Sequence, residues 1–388
     1  MADFNMDKDV LIVGCGLCGS VIARELAEKG LQVQILERRN HIGGNMYDYT
    51  DKHGILVQKY GPHTFHTKEQ HLYEYICRYA DWQPYKLTCG AAWDDKYTPT
   101  PFNFTTIDTF YPKEAATNLK DKLLRVFQGR STATVVEVLE HPDPDIRGYA
   151  EFLFREDYAP YTAKQWGISP DEIDPSVLKR VPLRFSYEEG YFDDPYQVMP
   201  VNSFEAFFKS LLNHPNISIK LEHDALEFLT VSSSGTELLL GGKSISFPLI
   251  YTGALDELFA CCAGRLPYRS LRFEWKYEEK ESLQEAPVVA YPQAPGYTRI
   301  TEYKKLPHQD VRGTSYAVEY PLPYQPEQGT EPYYPVLTEE SKQQYELYRQ
   351  MAEKIPNLIP CGRLADFQYY NMDQALKRAL EVVDSLQI

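Results

Sequence analysis

Val10-Leu11-Ile12-Val13-Gly14-Cys15-Gly16-Leu17-Cys18-Gly19 opens the stretch, residues 10–45, around which the 388-residue chain is organised. The apolar run reads as a strand that stops at Gly14. An amphipathic segment over residues 21–29 follows, and Gly30 ends it. A second apolar strand, Val33–Leu36, stops on an acid, Glu37. This is a βαβ unit with Gly-x-Gly-x-x-Gly at its first turn. Gly14 permits a tight turn, Gly16 lets a pyrophosphate approach the backbone, and Gly19 lets the helix pack on the strand. The helix that follows the glycine turn points free N–H groups at the phosphates. Glu37 lies about twenty residues on, the offset of an acid that holds a ribose 2′-OH. The unit predicts an adenine dinucleotide.

The next residues choose between dinucleotides. Arg38-Arg39-Asn40-His41-Ile42-Gly43-Gly44-Asn45 places a Gly-Gly pair just past the acid, so that a second backbone loop can close over the pyrophosphate. This extension resembles the flavoproteins with two dinucleotide-binding motifs, which implies FAD. Cys15 and Cys18 form a CxxC, but both occupy spacer positions of the glycine motif, where a small residue suffices.

A net charge of −15 argues against nucleic acid or an anionic membrane as partner. No apolar run approaches the roughly 20 residues that span a bilayer, and the first residues lack a signal-peptide pattern. Seven scattered cysteines fit a reducing compartment, so a cytoplasmic location is expected.

Gly61-Pro62-His63-Thr64-Phe65-His66-Thr67 reads as a polar loop against the cofactor, since further metal ligands are missing nearby. Residues 107–165 have helical periodicity, with Asp143-Pro144-Asp145 as a turn and cap between two helices. Residues 270–319 read as antiparallel strands and residues 321–335 as an irregular loop. The fold class expected is α/β, a Rossmann-like FAD-binding domain with an inserted helical domain and an antiparallel sheet domain. The discontinuous FAD-binding domain takes residues 1–83, 205–269 and 351–388. The helical insert takes 105–178, with a mobile lid over about 166–180. The sheet and substrate domain takes 84–104, 179–204 and 270–350.

The rest of the chain interleaves aromatic rings with arginines, among them Tyr161, Trp166, Arg180, Tyr191, Arg299, Tyr334, Arg363 and Tyr369. Rings suit a base or sugar face, and guanidinium forks suit a diphosphate. As a set they point to a nucleotide-linked substrate. Several segments carry a closer likeness: the Glu37 to Asn45 run, Tyr60-Gly-Pro-His-Thr-Phe-His-Thr67, Tyr161-Thr-Ala-Lys-Gln-Trp166 and Lys179-Arg-Val-Pro-Leu-Arg184. Further on stand Tyr268-Arg-Ser-Leu-Arg-Phe273, Tyr297-Thr-Arg-Ile-Thr-Glu302, Glu331-Pro-Tyr-Tyr-Pro335, and Gly362-Arg363 with Tyr369 and Met372-Asp373. Along nearly its whole length the chain resembles the bacterial UDP-galactopyranose mutases.

That resemblance implies an isomerase without net redox, interconverting UDP-galactopyranose and UDP-galactofuranose. FAD would act in its reduced form, N5 attacking the anomeric carbon as UDP leaves. An external reductant, NADPH or reduced flavin, would prime it. The resemblance implies that Arg180 and Arg299 clamp the diphosphate, and that Tyr191, Tyr334 and Tyr369 bond to it. It places Tyr161 on the uracil, Trp166 beside the substrate, and His66 and Arg363 near flavin and sugar. Gly43, Gly44, Asn45, Arg38 and His63 join the glycine turn and Glu37 around the cofactor, as do Met372 and Asp373 at the last helix's N-terminus. Asn371 stands where the family often carries an acid, and Pro62 and Thr64 stand in the His loop where smaller or apolar residues are common, which leaves UDP-N-acetylgalactosamine and dTDP-fucose open as alternatives. A homodimer and a place in cell-surface polysaccharide synthesis are implied by the family alone. The rivals are a conventional FAD-dependent oxidoreductase, which consumes an electron acceptor, and a non-catalytic nucleotide-sugar binder.

Overall fold

A computed structural model describes residues 8–167, 169, 178 and 181–386, with the side chain of Trp166 left aside. Five parallel strands form the first sheet, in the order Ile217–Lys220, Val33–Leu36, Val10–Val13, Leu249–Tyr251, Leu358–Pro360. Their β-branched runs are covered by helices on both faces, the usual state of a parallel sheet. On one side lie Leu17–Glu28, Phe204–Leu212 and Met372–Ser385. Phe204, Phe207, Phe208, Leu211 and Leu212 are all buried, at helical spacing along one face. Each such side chain contributes roughly 2 kcal/mol on burial. That helix starts where it does because two acceptors meet its free N–H groups. Ser203 Oγ accepts from Ala206 at 2.9 Å, and the Asp48 carboxylate takes Phe204 and Glu205 at 2.7 and 2.8 Å.

The second sheet has seven strands, in the order Tyr334–Pro335, Tyr268–Glu278, Thr314–Pro323, Arg299–Glu302, Val288–Ala290, Cys89–Trp93, Lys96–Thr100. A helical unit, Phe104–Phe110, Lys113–Val126, Val135–Leu139, Pro144–Leu153 and Ala159–Trp166, packs against the seven-stranded sheet. A five-residue π-turn, Phe154–Tyr158, joins the last two. Asp143 caps Pro144–Leu153, accepting from Asp145 N at 2.9 Å with Pro144 in the first turn, as its sequence predicts.

Several expectations are corrected. The first helix begins at Leu17, a turn ahead of residue 21, because Gly16 already serves as its N-cap. Residues 182–184 pair with Thr132–Thr134, and 196–200 pair with Phe65–Thr67 and Trp82–Pro84, so this stretch does not enter the seven-stranded sheet. In that sheet Val288–Ala290 runs parallel to Cys89–Trp93, although its other pairs are antiparallel. Residues 321–335 are less irregular than predicted, since a strand continues to Pro323 and Tyr334–Pro335 adds an edge strand. The proposed lid lies almost wholly outside the described residues.

Candidate active site

Two cavities meet at the top of the parallel sheet. The first follows the glycine turn. Gly14 has φ +99°, and a Cβ there would fall 2.0 Å from Thr252 Oγ1. A Cβ on Gly19 would fall 2.1 Å from the Gly14 carbonyl, which is the close helix–strand packing expected. The Gly43-Gly44 loop closes over the turn, so that a Cβ on Gly44 would fall 2.8 Å from Gly16 Cα. Gly16 differs: a Cβ there meets only Gly44 Cα, at 3.8 Å. Its own fold therefore leaves Gly16 room, and the missing side chain clears space for an occupant. No side chain caps the helix behind it. The result is a backbone cradle at a helix N-terminus, fit for a pyrophosphate.

Glu37 is buried at the end of the second strand, with Oε2 accepting from Cys15 N and Oε1 from Arg39 N, both at 2.8 Å. Two backbone donors thus fix the carboxylate at the cradle wall. Leu17, Arg38, Asn45, Met372 and His63 line the same cavity. Arg38 and Arg39 both reach Glu331, the latter at 3.0 Å, and Arg39 also donates to Asn45 Oδ1 at 3.0 Å. Burial pulls the His63 pKa down to about 4, so the ring is neutral. Its Nδ1–H donates to Gly61 O at 2.8 Å. Cys15 and Cys18 are both buried, and burial pushes the Cys15 thiol up to about 12. Asp373 is the exception: it is off both cavity walls, its carboxylate accepting from Gln374 N at 2.8 Å. A side chain one position into the helix turns back onto its own first turn.

The second cavity, about 700 Å³, suits a ligand of nucleotide-sugar size. His66, Tyr161, Tyr191, Arg299, Tyr334, Arg363, Tyr369 and Asn371 all line it. Arg299 Nε donates to Glu319 Oε2 at 2.8 Å, and Nη2 forms an ion pair with the same oxygen at 2.8 Å. Burial alone would pull its pKa down, but Glu319 more than reverses this and Arg299 stays charged. Arg363 lies 4.8 Å from the Tyr334 ring and 5.6 Å from the Tyr369 ring, which stack on each other at 5.1 Å. Its Nη2 donates to Tyr370 O at 2.7 Å. His66 bonds to Asp194 Oδ2 at 2.5 Å and stacks on Phe192 at 3.5 Å. Asn371 is the N-cap of the last helix, its N–H donating to Gln374 Oε1 at 2.9 Å. Arg180 and the side chain of Trp166 lie outside the described residues.

Sequence reasoning missed Arg269, although it stands inside the Tyr268 to Phe273 motif. It lines the second cavity, with Nη1 on Gln165 Oε1 at 3.0 Å and Nε buried without a partner among the described residues. Glu319 and Asp194 were also missed, because strand register and loop packing bring them to Arg299 and His66. Among the described residues no group of His, Cys, Asp or Glu is arranged to hold a metal, and no helix is long and apolar enough to cross a membrane.

The family model described as UDP-galactopyranose mutase matches residues 157–369, and one described as NAD(P)-binding Rossmann-like domain matches residues 12–79. A UDP-galactopyranose mutase of Mycoplasma pneumoniae is 32% identical over 385 residues, 97% of this chain and 96% of its own. A dTDP-fucopyranose mutase of Escherichia coli is 34% identical over 375 residues, 96% of each. A crystal structure of reduced UDP-galactopyranose mutase superposes with a TM-score of 0.69 at 14% identity, covering 97% of this chain and 95% of that one. A putrescine oxidase reaches 0.54 at 11% identity, covering 97% and 98%. The fold is thus shared with an oxidase, and the site must decide the chemistry.

Proposed function

The chain belongs to the UDP-galactopyranose mutase family, and we propose on that premise that it interconverts UDP-galactopyranose and UDP-galactofuranose with reduced FAD bound in the cradle. The observation that carries this reading is a shared wall. His63, Arg363, Asn371 and Met372 line both the dinucleotide cradle and the arginine-lined cavity. The ring end of a dinucleotide and the sugar end of a nucleotide sugar would therefore meet there.

Reduced flavin at that wall would supply the nucleophile for the sugar's anomeric carbon. The chain's own residues bind and orient. Glu37, fixed by two backbone donors, takes a ribose hydroxyl of the dinucleotide. Arg299, held charged by Glu319, grips the substrate diphosphate, and Tyr191, Tyr334 and Tyr369 bond to it. His66 lies near the sugar, its tautomer set by Asp194. Arg363 closes the junction between the two cavities. Arg180 and Trp166 complete the clamp in this reading.

A second reading takes dTDP-fucose as substrate. It is favoured by the 34% identical dTDP-fucopyranose mutase and by Asn371 at the shared wall.

The test is to load the purified chain with FAD, reduce it with dithionite, and supply UDP-galactofuranose. Chromatography should show UDP-galactopyranose without stoichiometric consumption of reductant. dTDP-fucofuranose turning over in its place would move the assignment to the second reading. Inertness towards both, and towards the furanose form of UDP-N-acetylgalactosamine, would overturn the mutase assignment.

A further inference from the structure

One buried acid has no task in the chemistry above. Asp157 lies in the π-turn Phe154–Tyr158, is 7% exposed, and lines the second cavity. Among the described residues no group hydrogen-bonds its carboxylate, and the opposing charge nearby is Lys164. That ammonium is already engaged, donating to the carbonyls of Tyr291, Ala294 and Tyr297 at 2.6, 3.0 and 2.7 Å. A buried acid without a hydrogen-bond partner among the described residues is costly, and π-turns recur at functional sites. The wider turn inserts a residue between two α-helices and sets Asp157, Tyr158 and Tyr161 on one cavity wall.

The charges along that wall are graded. Arg363 marks the end shared with the dinucleotide cradle, stacked under Tyr334 and Tyr369. Arg299 lies within electrostatic reach of both Tyr334 and Tyr161. Tyr161 in turn feels both Arg299 and Asp157. Tyr158 and Phe102, whose rings are 5.4 Å apart, line the same cavity. A diphosphate on the arginines therefore puts the nucleobase towards Tyr161 and Asp157. A carboxyl at this end repels phosphate and needs a donor.

Resting on the nucleotide-sugar reading, we propose that Asp157 receives the N3–H of the substrate's uracil or thymine ring, beside Tyr161, and so sets nucleobase specificity. The imide edge offers N3–H flanked by two carbonyls. A neutral carboxyl meets it with two hydrogen bonds, accepting from N3–H and donating to O4. Burial pushes the Asp157 pKa up to about 7, which makes that form available. A carboxylate alone would make the first bond and oppose the carbonyl.

The test uses the full-length, flavin-loaded protein and two probes, UDP and UDP methylated at uracil N3, titrated calorimetrically. The wild type is expected to bind UDP about tenfold or more tightly than the methylated probe, the loss of a hydrogen bond to an ionisable group. Asp157→Leu should bring the two probes to within about twofold. Asp157→Asn, which keeps an acceptor and a donor, should retain most of the preference. Equal binding of both probes by the wild type overturns the proposal without needing any variant. An undiminished preference in Asp157→Leu overturns it as well. Failure of both UDP and dTDP to bind the wild type would sink the nucleotide-sugar reading, and this proposal with it.

Discussion

Arg299 and Glu319 sit directly opposite one another on neighbouring antiparallel strands, with one carboxylate oxygen 2.8 Å from two guanidinium nitrogens. Glu319 is 4% exposed, so neither charge can be removed without stranding the other. Arg299→Ala should cut kcat/KM at least about a hundredfold, because a charge-assisted diphosphate clamp is lost. The flavin spectrum should not change. The same variant should cost about 3–5 kcal/mol of stability, through the buried carboxylate left behind. Replacing both residues by methionine should restore much of that stability and none of the activity. Chemical unfolding and steady-state rates on the single and double variants check both halves. An active Arg299→Ala would remove Arg299 from the site.

Gly16 and Gly44 face each other across the cradle but should respond differently to alanine. Gly44 has φ +56° and no space for a Cβ, so Gly44→Ala should lose stability, by about 1–2 kcal/mol, together with dinucleotide binding. Gly16 has that space, so Gly16→Ala should unfold within about 0.5 kcal/mol of wild type. Its FAD dissociation constant should nonetheless rise at least tenfold. Equal FAD content in Gly16→Ala and wild type would show that nothing needs the cleared space.

Glu331 ties the loop before Tyr334–Pro335 to the cradle through Arg38 and Arg39. Burial would raise its pKa, but the two guanidiniums lower it overall, so it is ionised. Glu331 and Arg38 are partly exposed, which limits the pair to about 1 kcal/mol. Glu331→Ala should weaken FAD binding about fivefold. It should leave kcat unchanged at saturating FAD. An equilibrium titration of the apoprotein measures this, and a fall in kcat at saturation would contradict it.

Asp157 gives a pH signature. Its pKa is about 7 in the folded chain and about 3.9 in the unfolded one. Between these values the folded state holds a proton that the unfolded state releases, so this group's contribution to stability falls as pH rises from about 4 to 7. Asp157→Asn should match wild type at pH 4 and exceed it at pH 8 by up to about 4 kcal/mol. Urea unfolding at both pH values decides it, and a difference that does not vary with pH would refute the protonated, buried state of Asp157.

The dinucleotide cradle was largely legible beforehand, because its parts are local. Gly14, Gly16, Gly19 and Glu37 fall within one βαβ unit, and chain geometry carries each to its place. The Gly43-Gly44 closure was legible for the same reason. Of the residues expected at the cofactor, Asp373 alone among those described is not on the wall, since one position along a helix turns a side chain by about 100°. The second cavity was legible as a set of residue types, not as an arrangement.

By itself the sequence determined the Rossmann-like unit, the helical character of residues 107–165, and the arginines and tyrosines that a diphosphate-bearing ligand needs. Tertiary structure alone decided which acid holds Arg299, which holds His66, and which has no hydrogen-bond partner among the described residues. Glu319 reaches Arg299 through strand register, and Asp194 lies 128 residues from His66. Asp157 faces the cavity because a π-turn shifts the helix face by one residue. Such pairings are set by packing between segments far apart in sequence, whose geometry no local periodicity encodes.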